Sequence, residues 1–374
     1  MKQVTTPQSG SVYDAWLASA CMPPSTVRQI IEKYNQTESI FHAFQRKDEW
    51  LFNIVTPRFA RTLKNNSTEE KMKYMQSVME KQSISVCRYD DPHYPSSLRN
   101  TDEPPVILFY QGNIQCLEHK MLSMVGSRAA SYTGQKAARK LACDLSRHGI
   151  TVVSGLACGI DASSHEGCID GGSPTIAVTA CGLDIVYPKD NTRLRNMILE
   201  KDGLILTEYA PGEKPAGWHF PFRNRIIAGL GQALILVEAR IKSGSMTSVQ
   251  HALEQGKDIF VYPGDPDSEH FEGNHQLLRE GGIFFTGAED ILSDLHWLDN
   301  QPTVRQNSDC SIDTRAVTPE QSAVIGALKP GKLSFEQILE TTGMDPAALL
   351  SNLTILQISG VIEPLPGKQY QLRH

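Results

Sequence analysis

The run from Met121 to Asp161 constrains this chain more than any other. An apolar segment, Met121-Leu-Ser-Met-Val125, meets a glycine turn, Gly126-Ser127-Arg128. A helical pattern from Gln135 to His148 follows, with Ala137, Leu141 and Leu145 spaced to share one face. Gly149 sits where a C-terminal cap belongs. A second apolar run, Ile150 to Val153, leads into a second glycine turn containing Ser154, Gly155 and Gly159. Strand, turn, helix, strand, turn is a βαβ unit, and it commits its strands to a parallel sheet.

A glycine turn between strand and helix lets the backbone approach a ligand closely. The helix N-terminus then aims free N–H groups and a partial positive charge at that ligand, which favours phosphate. Arg128 adds a full charge with a bidentate fork. Taken alone, the turn also fits simple packing with Arg128 in solvent. It is neither a Gly-x-Gly-x-x-Gly dinucleotide fingerprint nor a Gly-x-x-x-x-Gly-Lys-[Ser/Thr] phosphate loop.

The alternation continues. Strands are expected at Thr175–Thr179, Leu204–Leu206, Ala233–Val237, Ile259–Tyr262 and Ile283–Phe285, with helices at 191–201, 225–230 and 245–255 between them. Ile84–Val86 and the segment 104–110 are expected as extended pieces joining the same sheet. The fold class is therefore α/β, an extended Rossmann-like, doubly wound and mostly parallel sheet. Ligands of such sheets sit outside the carboxyl ends of the strands. The ligand-like turns here all follow strands, including Lys189 after Tyr187-Pro188 and the turn Ser243-Gly244-Ser245.

Four segments are expected: a small helical bundle over 1–81, the core over 82–298, a polar linker over 299–315 and a second small domain over 316–374. In that last domain three helices and a hairpin make a winged helix. Its third helix carries no Lys or Arg between Asp345 and Gly360, which speaks against binding in a DNA groove and leaves a protein-contact module as the competing reading. The N-terminal bundle reads as a packing or protein-contact element; its Met22-Pro23-Pro24 turn lacks the glycine of a helix-hairpin-helix. Lys64 to Lys81 reads as a polar segment.

The net charge of −6 means that any anionic ligand must be held by a local basic patch. No run approaches the ~18 apolar residues of a membrane span, and the first ten residues lack a signal-peptide core. A cytoplasmic location is expected, with no membrane partner. The eight cysteines show neither Cys-x-x-Cys nor zinc-like spacing with histidine, so they read as small buried residues, and neither metal nor cofactor is expected.

Phe220-Pro-Phe222-Arg223-Asn224-Arg225 interleaves aromatic and basic groups, with Trp218 and His219 beside it. Aromatic faces stack bases and guanidinium groups hold phosphates, a sequence-tolerant grip on a single strand. Phe220 and Phe222 also fit a core, and Lys189 also fits a solvated surface. Asp161, Asp184, Glu238, His165 and His219 lack the paired spacing of acid–base catalysis. Asp161 is explained by helix capping, and no enzymatic activity is expected.

Read together, Val125-Gly126-Ser127-Arg128, Val152 to Asp161, Cys181-Gly-Leu-Asp184, Tyr187-Pro188, Phe220 to Gly229, Val237-Glu-Ala239, Ser243-Gly-Ser245 and Pro263-Gly264 occur in one order. This resembles the DNA-processing protein A family (DprA, also Smf) over roughly residues 82–290. The resemblance implies a core that binds single-stranded DNA through these turns and forms a homodimer. It also implies a partner, the recombinase RecA, loaded onto incoming strands in natural transformation. The bundle would match the family's sterile-alpha-motif-like domain. Leu277, Leu278, Ile283 and Phe284, on the last helix and strand of the core, are the expected dimer or RecA surface, since a last strand leaves backbone groups to be covered. The alternative is a nucleotide phosphoribohydrolase of the lysine-decarboxylase-like group. Its Gly-Gly-x-Gly-Thr-x-x-Glu signature is not met by Ser243-Gly244-Ser245-Met246-Thr247-Ser248, which has no glutamate.

Overall fold

The computed structural model describes residues 11–297 and 318–372, apart from 330, 359–360 and 366–368. The linker expected over 299–315 lies outside the described residues. The chain divides into two compact units, Met1–Leu298 and Asp299–His374.

The first unit is built on a nine-stranded sheet: β1 (Ser85–Arg88), β2 (Ile107–Gly112), β3 (Met121–Val125), β4 (Thr151–Ser154), β5 (Thr175–Val178), β6 (Leu204–Thr207), β7 (Leu234–Leu236), β8 (Ile259–Val261) and β9 (Ile283–Phe284). The spatial order is β1-β2-β6-β5-β4-β3-β7-β8-β9. From β6 to β9 every pairing is parallel. β1 and β2 extend the sheet as antiparallel strands beside β6. This is the extended Rossmann-like arrangement.

Both faces are covered, which is why the strands read as apolar runs rather than alternating ones. On β3, Leu122 and Met124 pack with Ala138, Leu141 and Leu145 of the helix Tyr132–Arg147. Met121 and Val125 point the other way, to the cluster of Ile226, Ile227 and Leu230 from the helix His219–Leu230. Chain order starts at β3, runs outward to β6, then returns to place β7 on the other side of β3. The switch point therefore lies between β3 and β7.

Among the described residues the N-terminal bundle comprises six helices: Ser11–Ala18, Pro24–Tyr34, Thr37–Gln45, Glu49–Ile54, Pro57–Asn66 and Glu69–Lys81. The last is a correction to the polar segment expected over 64–81. Thr68 caps it through the Lys71 N–H, and Met75 and Met79, one turn apart, supply its buried face. The bundle expected as a separate domain shares its core with the sheet. Trp16, Leu17, Ile30 and Met79 lie in one cluster with Phe109, Ile198 and Ile205, and the buried Trp16 indole donates to Leu63 O at 2.9 Å.

The second unit has the winged-helix pattern. Helices Pro319–Leu328, Phe335–Thr342 and Pro346–Ile358 accompany strands β10 (Leu333–Ser334), β11 (Ile362–Leu365) and β12 (Gln369–Leu372), ordered β10-β12-β11. Capping boxes at Thr318/Gln321 and Ser334/Gln337 start the first two helices. Leu349, Leu353 and Leu356 of the third helix join the core, while Leu350 and Ile355 stay exposed. Among the described residues no helix is long and apolar enough to cross a membrane.

Asp14 is an electrostatic weak point of the first unit. It is 4% exposed, and its nearest cation, Arg88 Nη1, stands 3.8 Å away. Burial pushes its carboxyl up to about 6, with Arg88 opposing. A carboxyl raised above its unfolded value holds its proton more tightly in the fold, so stability falls as pH climbs from about 4 to 6. Asp14→Asn should stabilise the protein at pH 7 by about 1–2 kcal/mol and flatten that part of the pH profile. Thermal unfolding of both forms at pH 4.5 and pH 7 checks this; an equal shift at the two pH values would contradict it.

Candidate nucleic-acid interface

The carboxyl ends of β3 and β7 open a cleft of about 620 Å³ at the switch point. Its walls come from turns far apart in the chain: Gly126, Ser127 and Arg128 after β3, Ala157 and Asp161 after β4, Tyr187 after β5, Pro215 to Gly217 after β6, and Ser243, Gly244 and Ser245 after β7. Phe220, Arg223 and Asn224 add one face of the helix His219–Leu230.

That helix departs from expectation. It was expected from Arg225 but begins at His219, so Phe220 to Arg225 is helical rather than a continuous rim. Helical spacing then divides the basic–aromatic cluster. Phe220, Arg223, Asn224 and Ile227 face the cleft. Trp218 and Phe222 face a different groove, between the bundle and the core. Arg225 goes with Phe222: its guanidinium lies 4.2 Å from that ring and pairs with Glu208 at 2.5 Å. Arg225 is buried, so it does not line the rim with Arg128.

Of the two arginines lining the cleft, Arg128 is exposed and Arg223 buried. The Arg128 guanidinium sits 4.6 Å from the centre of the Phe220 ring, and Tyr187 packs on Phe220 at 5.6 Å. One face of Phe220 is thus taken by a cation, and the open aromatic face in the lining is Tyr187, 44% exposed. Tyr187-Pro188 reads in the sequence only as one of the ordered motifs; the aromatic role of Tyr187 is hidden there, because its ring partner Phe220 sits on the distant helix His219–Leu230. Lys189 is exposed two residues on and does not line the cleft.

Arg223 forms the floor. It donates to the carbonyls of Gly155 and Val178 and lies against Asp161. Burial pulls its guanidinium down to about 10, Asp161 opposing, so it stays charged near neutral pH. Burial raises the Asp161 carboxyl while Arg223 lowers it. Gly155 makes room for this pair: a Cβ there would lie 2.6 Å from Asp161 Oδ2 and 2.7 Å from Arg223 Nη2. Gly159, at φ +78°, caps the helix Ile160–Gly171 and passes so close to Ser127 that a Cβ would meet its carbonyl at 2.3 Å. Ser154 is buried and donates to Met124 O, tying β4 to β3 rather than reaching the cleft.

Asn224 donates to Thr247 Oγ1 at 2.7 Å and so braces the turn Ser243–Ser245. That turn opens the helix Ser245–Glu254, whose first residues face the cleft. The helix after β3 is fixed separately. Its N-cap Ser131 donates through both N–H and Oγ to Glu238, whose carboxylate is fully buried after β7. Glu238 thus acts as a brace across the switch point. His165 is fully buried beside Thr175, and burial lowers it to about 3, which keeps it neutral. Asp184 accepts from Gly212 N–H and Tyr74 Oη, joining core to bundle.

The expected surface at the end of the core is mixed. Leu277 is buried in the core, Leu278 and Ile283 are half-buried, and Phe284 on the edge strand β9 is 56% exposed. Leu277 is therefore unavailable to a partner.

The chain thus combines a doubly wound sheet bearing an anion-suited switch-point cleft with a winged-helix unit. Residues 85–296 match the family model described as DNA recombination-mediator protein A, and residues 313–368 match the DprA winged helix domain. The chain belongs to the DprA family. It is 42% identical over 207 residues to DNA processing protein DprA of Streptococcus pneumoniae, covering 55% of this chain and 73% of that protein. It is 33% identical over 288 residues to protein Smf of Escherichia coli, covering 76% of each. The crystal structure of the Streptococcus pneumoniae protein superposes with a TM-score of 0.64 at 32% identity, covering 78% of this chain and 99% of that one. DNA processing protein A of Helicobacter pylori, solved for its single-stranded DNA binding mode, gives a TM-score of 0.52 at 27% identity, covering 57% and 95%.

The floor can be tested directly. Gly155→Ala should displace the Arg223–Asp161 pair and cost about 1–3 kcal/mol, the usual range for overpacking. Urea unfolding measures it, and a loss of only a few tenths of a kcal/mol would show that the contact is loose.

Proposed function

We propose that this protein binds single-stranded DNA in the switch-point cleft and delivers the strand to a RecA-type recombinase. The observation that carries the reading is the exposed Arg128 on Phe220, at the mouth of a cleft into which glycine turns and a helix N-terminus open. Phosphate suits that mouth, because the exposed Arg128 guanidinium and the partial positive charge at the start of the helix Ser245–Glu254 both border the cleft and both favour an anion. A base suits Tyr187, whose face is open beside the phosphate position. Phosphate contact and ring stacking do not read base edges, so binding through Arg128 and Tyr187 is tolerant of sequence. No catalytic pair of carboxylates or activated nucleophile lines it among the described residues, and we read the protein as a binder, not an enzyme, acting in the cytoplasm.

Arg128→Ala should weaken oligo-dT binding and flatten the slope of log affinity against log salt by about 0.7, the share of one phosphate contact on a single strand. Mixed-sequence strands should lose the same factor. Tyr187→Ala should also weaken binding, by about 1–3 kcal/mol, with the slope unchanged. Fluorescence titration at two salt concentrations separates the two. Wild-type binding by a folded Arg128→Glu protein would move the DNA site elsewhere.

We propose further that two copies pair through the β9 edge, with Phe284 and the half-buried Leu278 and Ile283 at the contact. Unpaired backbone on β9 and an exposed phenylalanine support this. Phe284→Glu should give a monomer by light scattering with unchanged circular dichroism; a dimer that persists places the interface on another surface.

A further inference from the structure

A second site takes shape where the bundle meets the core. Cys21 lies in the turn between the first two helices, Glu213 in the loop after β6, and His219 at the start of the helix His219–Leu230. One ligand atom from each falls within 4.8 Å of the other two. His219 Nε2 stands 3.8 Å from a Glu213 carboxylate oxygen.

The histidine is the informative member. It is fully buried, and its Nδ1 lies 3.1 Å from the carbonyl of Ala180. That contact requires the proton on Nδ1 and leaves the Nε2 lone pair to accept. Among the described residues no hydrogen bond reaches that nitrogen. Tyr209 stacks on the ring at 4.0 Å, and its hydroxyl donates to His219 O, so the orientation is fixed from two sides. A second nitrogen tied to a backbone carbonyl is the usual support of a metal-bound histidine.

We propose that Cys21, Glu213 and His219 bind a Zn²⁺ ion, with a fourth position open toward the groove between bundle and core. Thiolate, imidazole and carboxylate together suit Zn²⁺, whereas Mg²⁺ and Ca²⁺ prefer oxygen alone. Ligands ~2.0–2.3 Å from one tetrahedral ion lie ~3.5 Å from each other, so Glu213 and His219, 3.8 Å apart, are nearly in place and Cys21 has to draw in by at most about 1.3 Å. The groove, of about 520 Å³ and lined by Cys21, Tyr209 and Trp218, gives the ion a path in. Burial, then the charges of Glu213 and Glu208, pushes the Cys21 thiol up to about 12, so metal binding must release that proton to solvent. The ion would link the turn of the bundle to the helix that carries Phe220, Arg223 and Asn224. This inference is independent of where DNA binds.

Chelator-stripped full-length protein, titrated with Co²⁺ as a reporter, should develop a saturable thiolate-to-cobalt charge-transfer band at one equivalent. Cys21→Ser should lose that band, the remaining cysteines serving as an internal control. Glu213→Gln, a variant at a half-buried loop position, should weaken cobalt binding at least about tenfold. Zn²⁺ should raise the Tm of the wild type and not that of Cys21→Ser. Either a wild-type protein with no saturable band, or a folded Cys21→Ser protein that keeps it, overturns the site.

Discussion

The reversal of strand order between β3 and β7 is the constraint on which the rest depends. Where the connections of two neighbouring parallel strands leave in opposite directions, a crevice is left outside their carboxyl ends. The chain stabilises the opening from below. Glu238, after one strand, grips Ser131, after the other, so the walls are joined while the mouth stays open. The buried Arg223–Asp161 pair then supplies a charged floor whose own charge is largely compensated. What remains uncompensated at the mouth is Arg128.

Much of this was legible in the sequence. The β3-to-β4 unit follows from apolar runs punctuated by glycine, and the cleft turns follow from their position after strands. The winged helix followed from three helical patterns and a hairpin. The bounds of the helix His219–Leu230 were hidden, and with them the division of Phe220 to Arg225 between two surfaces. Composition marks a cluster as basic and aromatic, but the side chains a helix turns away from each other are sorted only once its start is known. Likewise, Arg225 reads as a free cation until Glu208 is seen beside it, and Leu277 reads as surface until the sheet covers it.

Cys21 illustrates a further limit. Metal motifs are recognised by short spacings, because both ligands then sit on one local element. Cys21 and His219 come together only because the bundle docks on the core, so no window of sequence contains the site. The same docking produces the pairing of Asp184 with Tyr74, again across distant segments.

The cluster that joins Trp16, Leu17 and Met79 to Phe109, Ile198 and Ile205 carries a consequence for how the molecule is inherited and handled. The bundle is no detachable module. Its apolar side is the far wall of the sheet's own interior, so cutting near residue 81 would lay bare fully buried residues of both halves. Loss of the bundle by deletion therefore has to be accompanied by polar replacement along β2, β6 and the helix Thr192–Glu200 if the remaining core is to stay in solution.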